Sequence, residues 1–137
     1  MLSKIKAIVP ENLIFLAQKT PNMPVAIVSA HHESSMESSK QACELGLIKP
    51  IFIGKKELIQ KEADNLSWDI SNYTIIDLDS DKESAIAGAK LARDNKIKVI
   101  IKGNLHTDIL MRVYLKKEFG LLEGKRLSHI WHMTTNE

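Results

Sequence analysis

A short polar segment at residues 102–108, with the sequence KGNLHTD, contains four side chains that can hydrogen-bond, those of Asn104, His106, Thr107 and Asp108, directly after Lys102 and Gly103. The apolar residues before it predict a buried strand, and the residues from 107 onward predict a helix. In an open α/β sheet, ligands bind in the crevice beyond the carboxyl ends of the strands. A helix N-terminus at that place presents unpaired backbone N–H groups to an anion. The segment is therefore a candidate phosphate or carboxylate site.

The first half of this segment has a binding interpretation and a structural one. The Asn104 amide could donate to a phosphoryl or carbonyl oxygen, or Asn104 could be a turn residue with unusual backbone angles. His106 could donate to the same groups, or it could make a structural hydrogen bond at the start of the helix. Lys102 and Gly103 are expected to shape the turn, with Gly103 allowing the backbone to approach a ligand closely.

The second half of the segment leaves the same two interpretations open. Thr107 is plausible as a helix N-cap, and Asp108 as a first-turn charge that interacts favourably with the helix dipole. Arg112 lies four residues after Asp108, so the two side chains can pair along one helix face. Only three of the 19 basic residues are arginine. Because the planar guanidinium suits phosphate, Arg112 is also a candidate anion ligand.

The elements that must position these residues alternate between strand and helix. Helices are predicted over 12–19, 33–45, 56–63, 81–94 and 107–119, and strands over 25–29, 50–53, 73–78, 98–101 and 126–132. Asp79, Ser80 and Asp81 supply N-cap chemistry for the helix over 81–94. Strands separated by helices imply parallel pairing, with helices on both faces of the sheet. The predicted fold class is therefore α/β, a three-layer α/β/α arrangement with a mostly parallel sheet, in a single domain over 1–137.

Composition excludes several classes of protein. A chain of 137 residues with 44% hydrophobic and 26% charged residues is ordinary for one globular domain. A net charge of +2 and scattered basic residues do not favour nucleic-acid binding. No apolar run approaches the roughly 20 residues of a membrane span, so no membrane partner is expected. The single cysteine, Cys43, is interpreted as a small buried hydrophobic residue and favours a reducing, cytoplasmic setting.

Three separated segments together carry a family resemblance. They are ACELGLIKPIFIG at 42–54, KGNLHTDILMR at 102–112 and GKRLSHI at 124–130. In this order they resemble the phosphate acetyltransferase/phosphate butyryltransferase family, closer to its butyryl type, from about residue 24 to about residue 133. The resemblance implies an isocitrate/isopropylmalate dehydrogenase-like fold, as the N-terminal portion of a two-domain phosphate acyltransferase more than twice this length.

The resemblance also implies a reaction, the transfer of an acyl group between CoA and phosphate. Acyl-CoA, phosphate and acyl phosphate would be the small-molecule substrates, with no further cofactor and no metal in the chemical step. The family places an arginine after the His-Thr-Asp turn on phosphate, which matches Arg112, and a Ser-His pair beside the cleft, which matches Ser128 and His129. Buried hydrogen bonding inside the last strand is the alternative for that pair. The implied substrate-binding residues are Lys102, Gly103, Asn104, His106, Thr107, Asp108, Arg112 and Ser128.

The catalytic residues stay unknown from this sequence. The family's acidic base and its serine–arginine pair lie in the portion that this chain does not match, so the chain alone is expected to be inactive or nearly so. A non-catalytic module that binds CoA or acyl phosphate, or serves assembly, is the alternative. His31 and His32 depart from the family pattern, and a metal pair there is conceivable but lacks a visible third ligand. An incomplete sheet leaves edges, which favours a homo-oligomer or association with a second domain.

Overall fold

The computed structural model describes residues 9–131 and contains four strands and five α-helices. In chain order the elements are α1 (Glu11–Gln18), β1 (Met23–Val28), α2 (Glu33–Glu44), β2 (Ile48–Gly54), α3 (Lys56–Asn65), β3 (Thr74–Asp77), α4 (Asp81–Arg93), β4 (Val99–Lys102), α5 (Thr107–Tyr114) and a 3₁₀ turn at Lys117–Phe119. Within these residues, no helix is both long enough and apolar enough to cross a lipid bilayer.

The four strands form one parallel sheet in the order β3-β2-β1-β4. Strand β1 is central, with Val28 paired to Ile53 of β2 on one side and to Lys102 of β4 on the other. The chain therefore adds strands first on one side of β1 and then on the opposite side. The carboxyl ends of β1 and β4 mark the point where this order reverses, which is where open α/β sheets bind ligands.

Strand β1 is buried on both faces, which explains its continuous apolar sequence. Ala26 and Val28 belong to a cluster formed with α4 and α5, whereas Val25 and Ile27 belong to a second cluster formed with α2 and α3. These four side chains are at most 1% exposed, so each face of the sheet has its own core. The predicted three-layer α/β/α fold with a parallel sheet is confirmed.

Helix α4 begins with a side-chain cap from Ser80. The Ser80 hydroxyl accepts a hydrogen bond from the Glu83 backbone N–H at 3.2 Å, and the same hydroxyl donates to the Glu83 carboxylate at 2.9 Å. Of the three candidate cap residues, Ser80 is therefore the N-cap, and Asp81 is the first residue of the helix. This cap fixes the N-terminus of α4 beside the carboxyl end of β1.

Helix α5 begins at Thr107, as predicted, but its N-cap residue and its C-terminal end differ from the prediction. The residue at the N-cap position is His106 and not Thr107, and its side chain makes no capping hydrogen bond. The helix ends at Tyr114, and a 3₁₀ turn follows that stops at Gly120, whose φ is 64°. The expected continuous helix over 107–119 is thus wrong after Tyr114, because Lys116 has extended backbone angles (φ −69°, ψ 132°) and separates α5 from the 3₁₀ turn.

The predicted strand over 126–132 is wrong for the part that the structure describes. Residues 126–131 have no regular secondary structure, and Leu127, Ile130 and Trp131 are 64%, 86% and 75% exposed. A strand needs a neighbour to complete its hydrogen-bond ladder, and no described strand pairs with this segment. His132, the last residue of that prediction, lies outside the described residues.

Candidate functional site

The polar turn after β4 is attached directly to the end of β1. The Gly103 backbone N–H donates to the Val28 carbonyl at 2.8 Å, and the Asn104 N–H donates to the Ser29 carbonyl at 2.7 Å. These two bonds extend the pairing of β1 with β4 by one step beyond the strands themselves. They place the turn at the switch point of the sheet, as the sequence predicts.

The backbone of Val28 and Ser29 leaves room only for glycine at position 103. A Cβ atom at this position would overlap the Ser29 carbonyl oxygen and come within 2.7 Å of the Val28 carbonyl oxygen. Contacts this short are not tolerated, so β1 and the turn approach each other only because residue 103 has no side chain. The close approach of a ligand, expected from the sequence, is not needed to explain this glycine.

The Lys102 side chain closes the turn through hydrogen bonds to two carbonyl groups of the turn. Its ammonium group donates to the carbonyl of Gly103 at 3.3 Å and to the carbonyl of Leu105 at 3.0 Å. Leu105 is only 6% exposed, so this bond closes the turn over a buried side chain. The positive charge therefore lies within the turn and is shared with two carbonyl oxygens.

Ser29, which the sequence analysis did not single out, connects the turn to α4. It is fully buried and has a φ of 55°, an uncommon value for a residue other than glycine. Its hydroxyl donates to the Asp81 carboxylate at 2.7 Å. The available signal was a hydroxyl residue placed directly after the apolar strand residues 25–28.

A cleft lies between α2 and β4 next to this turn, with a volume of about 590 Å³. The residues that line it are His32, Ser34, Ser35, Ser38, Ser39, Ala42, Ile48, Ile101, Lys102, Gly103 and Asn104. Most of the polar groups in this lining are neutral hydroxyls and one amide. The cleft can thus hydrogen-bond a polar ligand at many points, with a single ammonium group for an anionic one.

Several of the polar groups along the cleft already have partners in α2. The Ser35 hydroxyl donates to the His32 carbonyl at 2.8 Å, and the Ser39 hydroxyl donates to the Ser35 carbonyl at 2.6 Å. His32 is the N-cap of α2, where its Nδ1 accepts from the Ser34 backbone N–H at 3.3 Å. These bonds fix the first turns of α2, so the wall of the cleft is well defined.

The remaining candidate residues are divided between other surfaces. His106 and Thr107 are exposed where α5 begins. Asp108 and Arg112 pair at 3.6 Å, as predicted from their spacing, and lie in a groove between α4 and α5. This basic groove has a volume of about 420 Å³ and is lined by Lys82, Asp108, Ile109, Arg112, Val113 and Lys116.

Two predicted features near the site differ in the structure. Ser128 and His129 were expected in the last strand, with buried hydrogen bonding as one interpretation, but both are exposed in irregular backbone. The His129 ring lies against the Trp131 ring, with centroids 4.7 Å apart. Within residues 9–131, no three His, Cys, Asp or Glu side chains come together as metal ligands, so His31 and His32 have no third partner there.

Cys43 and Tyr114 are among the ionisable side chains whose pKa values are shifted, and both lie outside the lining of the cleft. Burial raises the pKa of the Cys43 thiol, although a hydrogen bond with Tyr73 acts in the opposite direction. Cys43 is half-buried, so the expected fully buried position is only partly right. Burial also raises the pKa of Tyr114, whose hydroxyl packs against Gly88 of α4 and has no hydrogen-bond partner among residues 9–131. Both groups are neutral near pH 7.

Comparisons with known proteins identify relatives over most of the chain. A phosphate butyryltransferase from Clostridium beijerinckii is 30% identical over 120 residues, which covers 88% of this chain and 40% of the relative. A phosphate acetyltransferase from Rickettsia typhi is 32% identical over 122 residues, covering 89% of this chain and 35% of the relative. No family model matches the sequence.

Solved structures share the fold. A phosphotransacetylase from Streptococcus pyogenes superposes with a TM-score of 0.63 at 18% identity, covering 78% of this chain and 42% of that protein. A branched-chain phosphotransacylase from Enterococcus faecalis V583 gives a TM-score of 0.58 at 17% identity, covering 71% of this chain and 33% of that protein. The chain spans about two fifths of the length of these relatives, or less. The resemblance read from the three sequence segments is confirmed, because over most of its length this chain matches phosphate acetyltransferases and phosphate butyryltransferases.

Proposed function

We propose that this chain supplies one wall of the substrate cleft of a phosphate acyltransferase, an enzyme that exchanges an acyl group between CoA and phosphate. The observation that carries this proposal is the polar cleft at the switch point of the sheet, in a chain whose relatives are named as phosphate acetyl- and butyryltransferases. The substrates in this proposal are acyl-CoA and phosphate, or acyl phosphate and CoA. The step draws on no separate cofactor.

The proposed step makes three physical demands on the cleft. A phosphate oxygen attacks the thioester carbonyl, the tetrahedral oxyanion must be met by hydrogen-bond donors, and CoA leaves as a thiolate that takes up a proton. In this cleft the Asn104 amide and the Ser38 hydroxyl are available as donors, and Lys102 supplies positive charge. Holding both substrates in one cleft would supply much of the acceleration. The binding roles of His106, Thr107 and Ser128 stay predictions.

We propose further that the 137 residues alone turn over little or no substrate. No carboxylate lines the part of the cleft that the structure describes, and the Nδ1 atom of His32 accepts from the Ser34 backbone N–H, so the ring proton lies on Nε2. A side chain suited to accept the proton of the CoA thiol is therefore not among the described lining residues. The same observation favours the second candidate function, a module that binds CoA or acyl phosphate without catalysis.

Titration calorimetry with CoA and with acetyl phosphate tests this proposal, combined with a CoA-release assay on the same preparation. We expect binding of at least one compound, weakened about tenfold or more by Asn104→Ala through the lost hydrogen bond. Asn12→Ala on exposed α1 is the matched control and should bind as the unaltered chain does. Robust release of CoA from acetyl-CoA and phosphate would overturn the proposed inactivity. Binding of neither compound would overturn the cleft as their site.

Association with another polypeptide also stays a proposal. In the described sheet, β4 is paired on one side only, so its outer backbone groups have no ladder partner there. A homo-oligomer, or a complex with the portion of an acyltransferase that this chain does not match, would use such an edge. Sedimentation of the chain, alone and with that portion added, separates the two cases. The cytoplasmic location remains a prediction from the single cysteine.

A further inference from the structure

A chain of contacts crosses from the far face of the sheet to the cleft. It begins at Asp81 on α4, passes through the buried Ser29 and ends at Asn104 in the turn. We propose that Asp81 is a positioning residue for the cleft, which sets the location of Asn104 through Ser29 and touches no ligand itself. The part of this inference that concerns ligand affinity rests on the proposed function, whereas the part that concerns the turn does not.

The first link explains how Ser29 keeps an unfavourable backbone conformation. A φ of 55° is costly for serine, and such residues persist where their surroundings fix them. The Ser29 hydroxyl is fully buried, and the hydrogen bond of 2.7 Å to the Asp81 carboxylate satisfies it. Because the acceptor is a carboxylate oxygen, this bond is stronger than one between neutral groups. Asp81 therefore supplies a force that keeps Ser29 in its left-handed conformation.

The second link connects the backbone conformation of Ser29 to the position of Asn104 in the cleft. The Ser29 carbonyl accepts from the Asn104 N–H at 2.7 Å, and its direction depends on the backbone angles of Ser29. Gly103 leaves no spare room between this carbonyl and the turn, so the turn cannot stay in place if the carbonyl rotates. On the other side of Ser29, the Ala30 N–H donates to the Ile53 carbonyl at 3.1 Å. Relaxation of Ser29 must therefore move the turn, since β2 fixes the next residue.

The two faces of the sheet make this coupling informative. Asp81 lies at the N-terminus of α4, which packs with α5 on one face, whereas the cleft borders α2 on the other. Asp81 is not among the cleft-lining residues, and its hydrogen bond to Ser29 is the most direct connection from it to the turn. Asp79 is a matched control two residues away, because its exposed carboxylate pairs with Lys55 at 3.5 Å and not with Ser29.

Amide hydrogen exchange, followed residue by residue by NMR, tests the positioning role without any ligand. In Asp81→Ala and Ser29→Ala, exchange at the Asn104 and Gly103 amides should accelerate on the order of tenfold, in keeping with loss of a hydrogen bond to a charged group. Central β1 amides should be much less affected. Asp81→Asn keeps an acceptor oxygen and should give a smaller acceleration, and Asp79→Ala none. Ser29→Gly should give an acceleration between those of Ser29→Ala and Asp79→Ala, because glycine adopts a positive φ without strain.

CoA titration of the same variants separates this inference from the proposed function. We expect the affinity for CoA to be lowest in the variants in which the Asn104 amide exchanges fastest, which are Asp81→Ala and Ser29→Ala. If the unaltered chain binds no CoA but the exchange pattern appears, the proposed function fails and the positioning role stands. If Asp81→Ala and Ser29→Ala leave the turn amides as protected as before, whether or not CoA binds, the inference is wrong. Equal acceleration at all amides would also overturn it, because that indicates general destabilisation only.

Discussion

The cleft beside α2 and the basic groove between α4 and α5 flank the same turn but differ in chemistry. The cleft offers hydroxyls, one amide and one ammonium group, whereas the groove combines three cations with an apolar floor. In the sequence, residues 102–112 form one continuous motif. In the structure the motif divides where α5 begins, because the helix directs Asp108 and Arg112 toward α4. Adjacent residues in a motif thus need not face the same ligand.

The largest expected effect concerns the contact on which the turn depends. Gly103→Ala should lower the free energy of unfolding by about 2–4 kcal/mol, because the added Cβ overlaps the Ser29 carbonyl. Gly120→Ala is the matched control. Its Cβ would meet nothing within 4 Å, so only its φ of 64° counts, at about 1 kcal/mol. Urea unfolding measures both, and equal losses would show that the turn is not tightly packed on β1.

Calorimetry with acetyl phosphate shows which of the two regions holds phosphate. If the cleft holds it, Asn104→Ala should weaken acetyl phosphate binding by about tenfold or more, while Arg112→Gln changes it less than about twofold. The Arg112 side chain is 82% exposed, so its removal should not disturb the fold. The reverse result, measured by calorimetry, would move the phosphate into the basic groove and restore the role that the resemblance gives to Arg112.

A smaller effect is expected from the ammonium group that closes the turn. Lys102→Met removes two hydrogen bonds to the carbonyls of Gly103 and Leu105 while keeping a side chain of similar length. Stability should fall by about 1 kcal/mol. Lys98→Met, an exposed lysine just before β4, should leave the unfolding midpoint unchanged. If the two variants unfold at the same urea concentration, the ammonium does not hold the turn.

The smallest effect should come from the ion pair that borders the basic groove. A double-mutant cycle with Asp108→Asn and Arg112→Gln should give a coupling energy below about 0.5 kcal/mol, since both side chains are largely exposed and 3.6 Å apart. Raising the salt concentration should reduce it further. A coupling above about 1 kcal/mol would indicate that the groove is less hydrated than its exposure implies.

The parts of the fold that the sequence predicts well are those decided by local pattern. The apolar run of β1 and the capping serine of α4 are local signals, so both elements are predicted within one or two residues of their observed bounds. The strand over 126–132 could not be judged in this way, because its formation depends on a partner strand. The serines of α2 repeat at helical spacing, but only the position of β4 shows that they face a cleft. The reason for Gly103 likewise lies in another strand.

The one-sided pairing of β4 has a consequence for any binding event at the cleft. The cleft is bounded by α2 on one side and by β4 and its turn on the other, and the outer margin of β4 is where the described sheet stops. A polypeptide that continued the sheet from this margin would deepen the same hollow. Ligand and added strand would then stabilise each other's binding through thermodynamic linkage. Affinities measured on these 137 residues alone would accordingly be lower limits for the assembled protein.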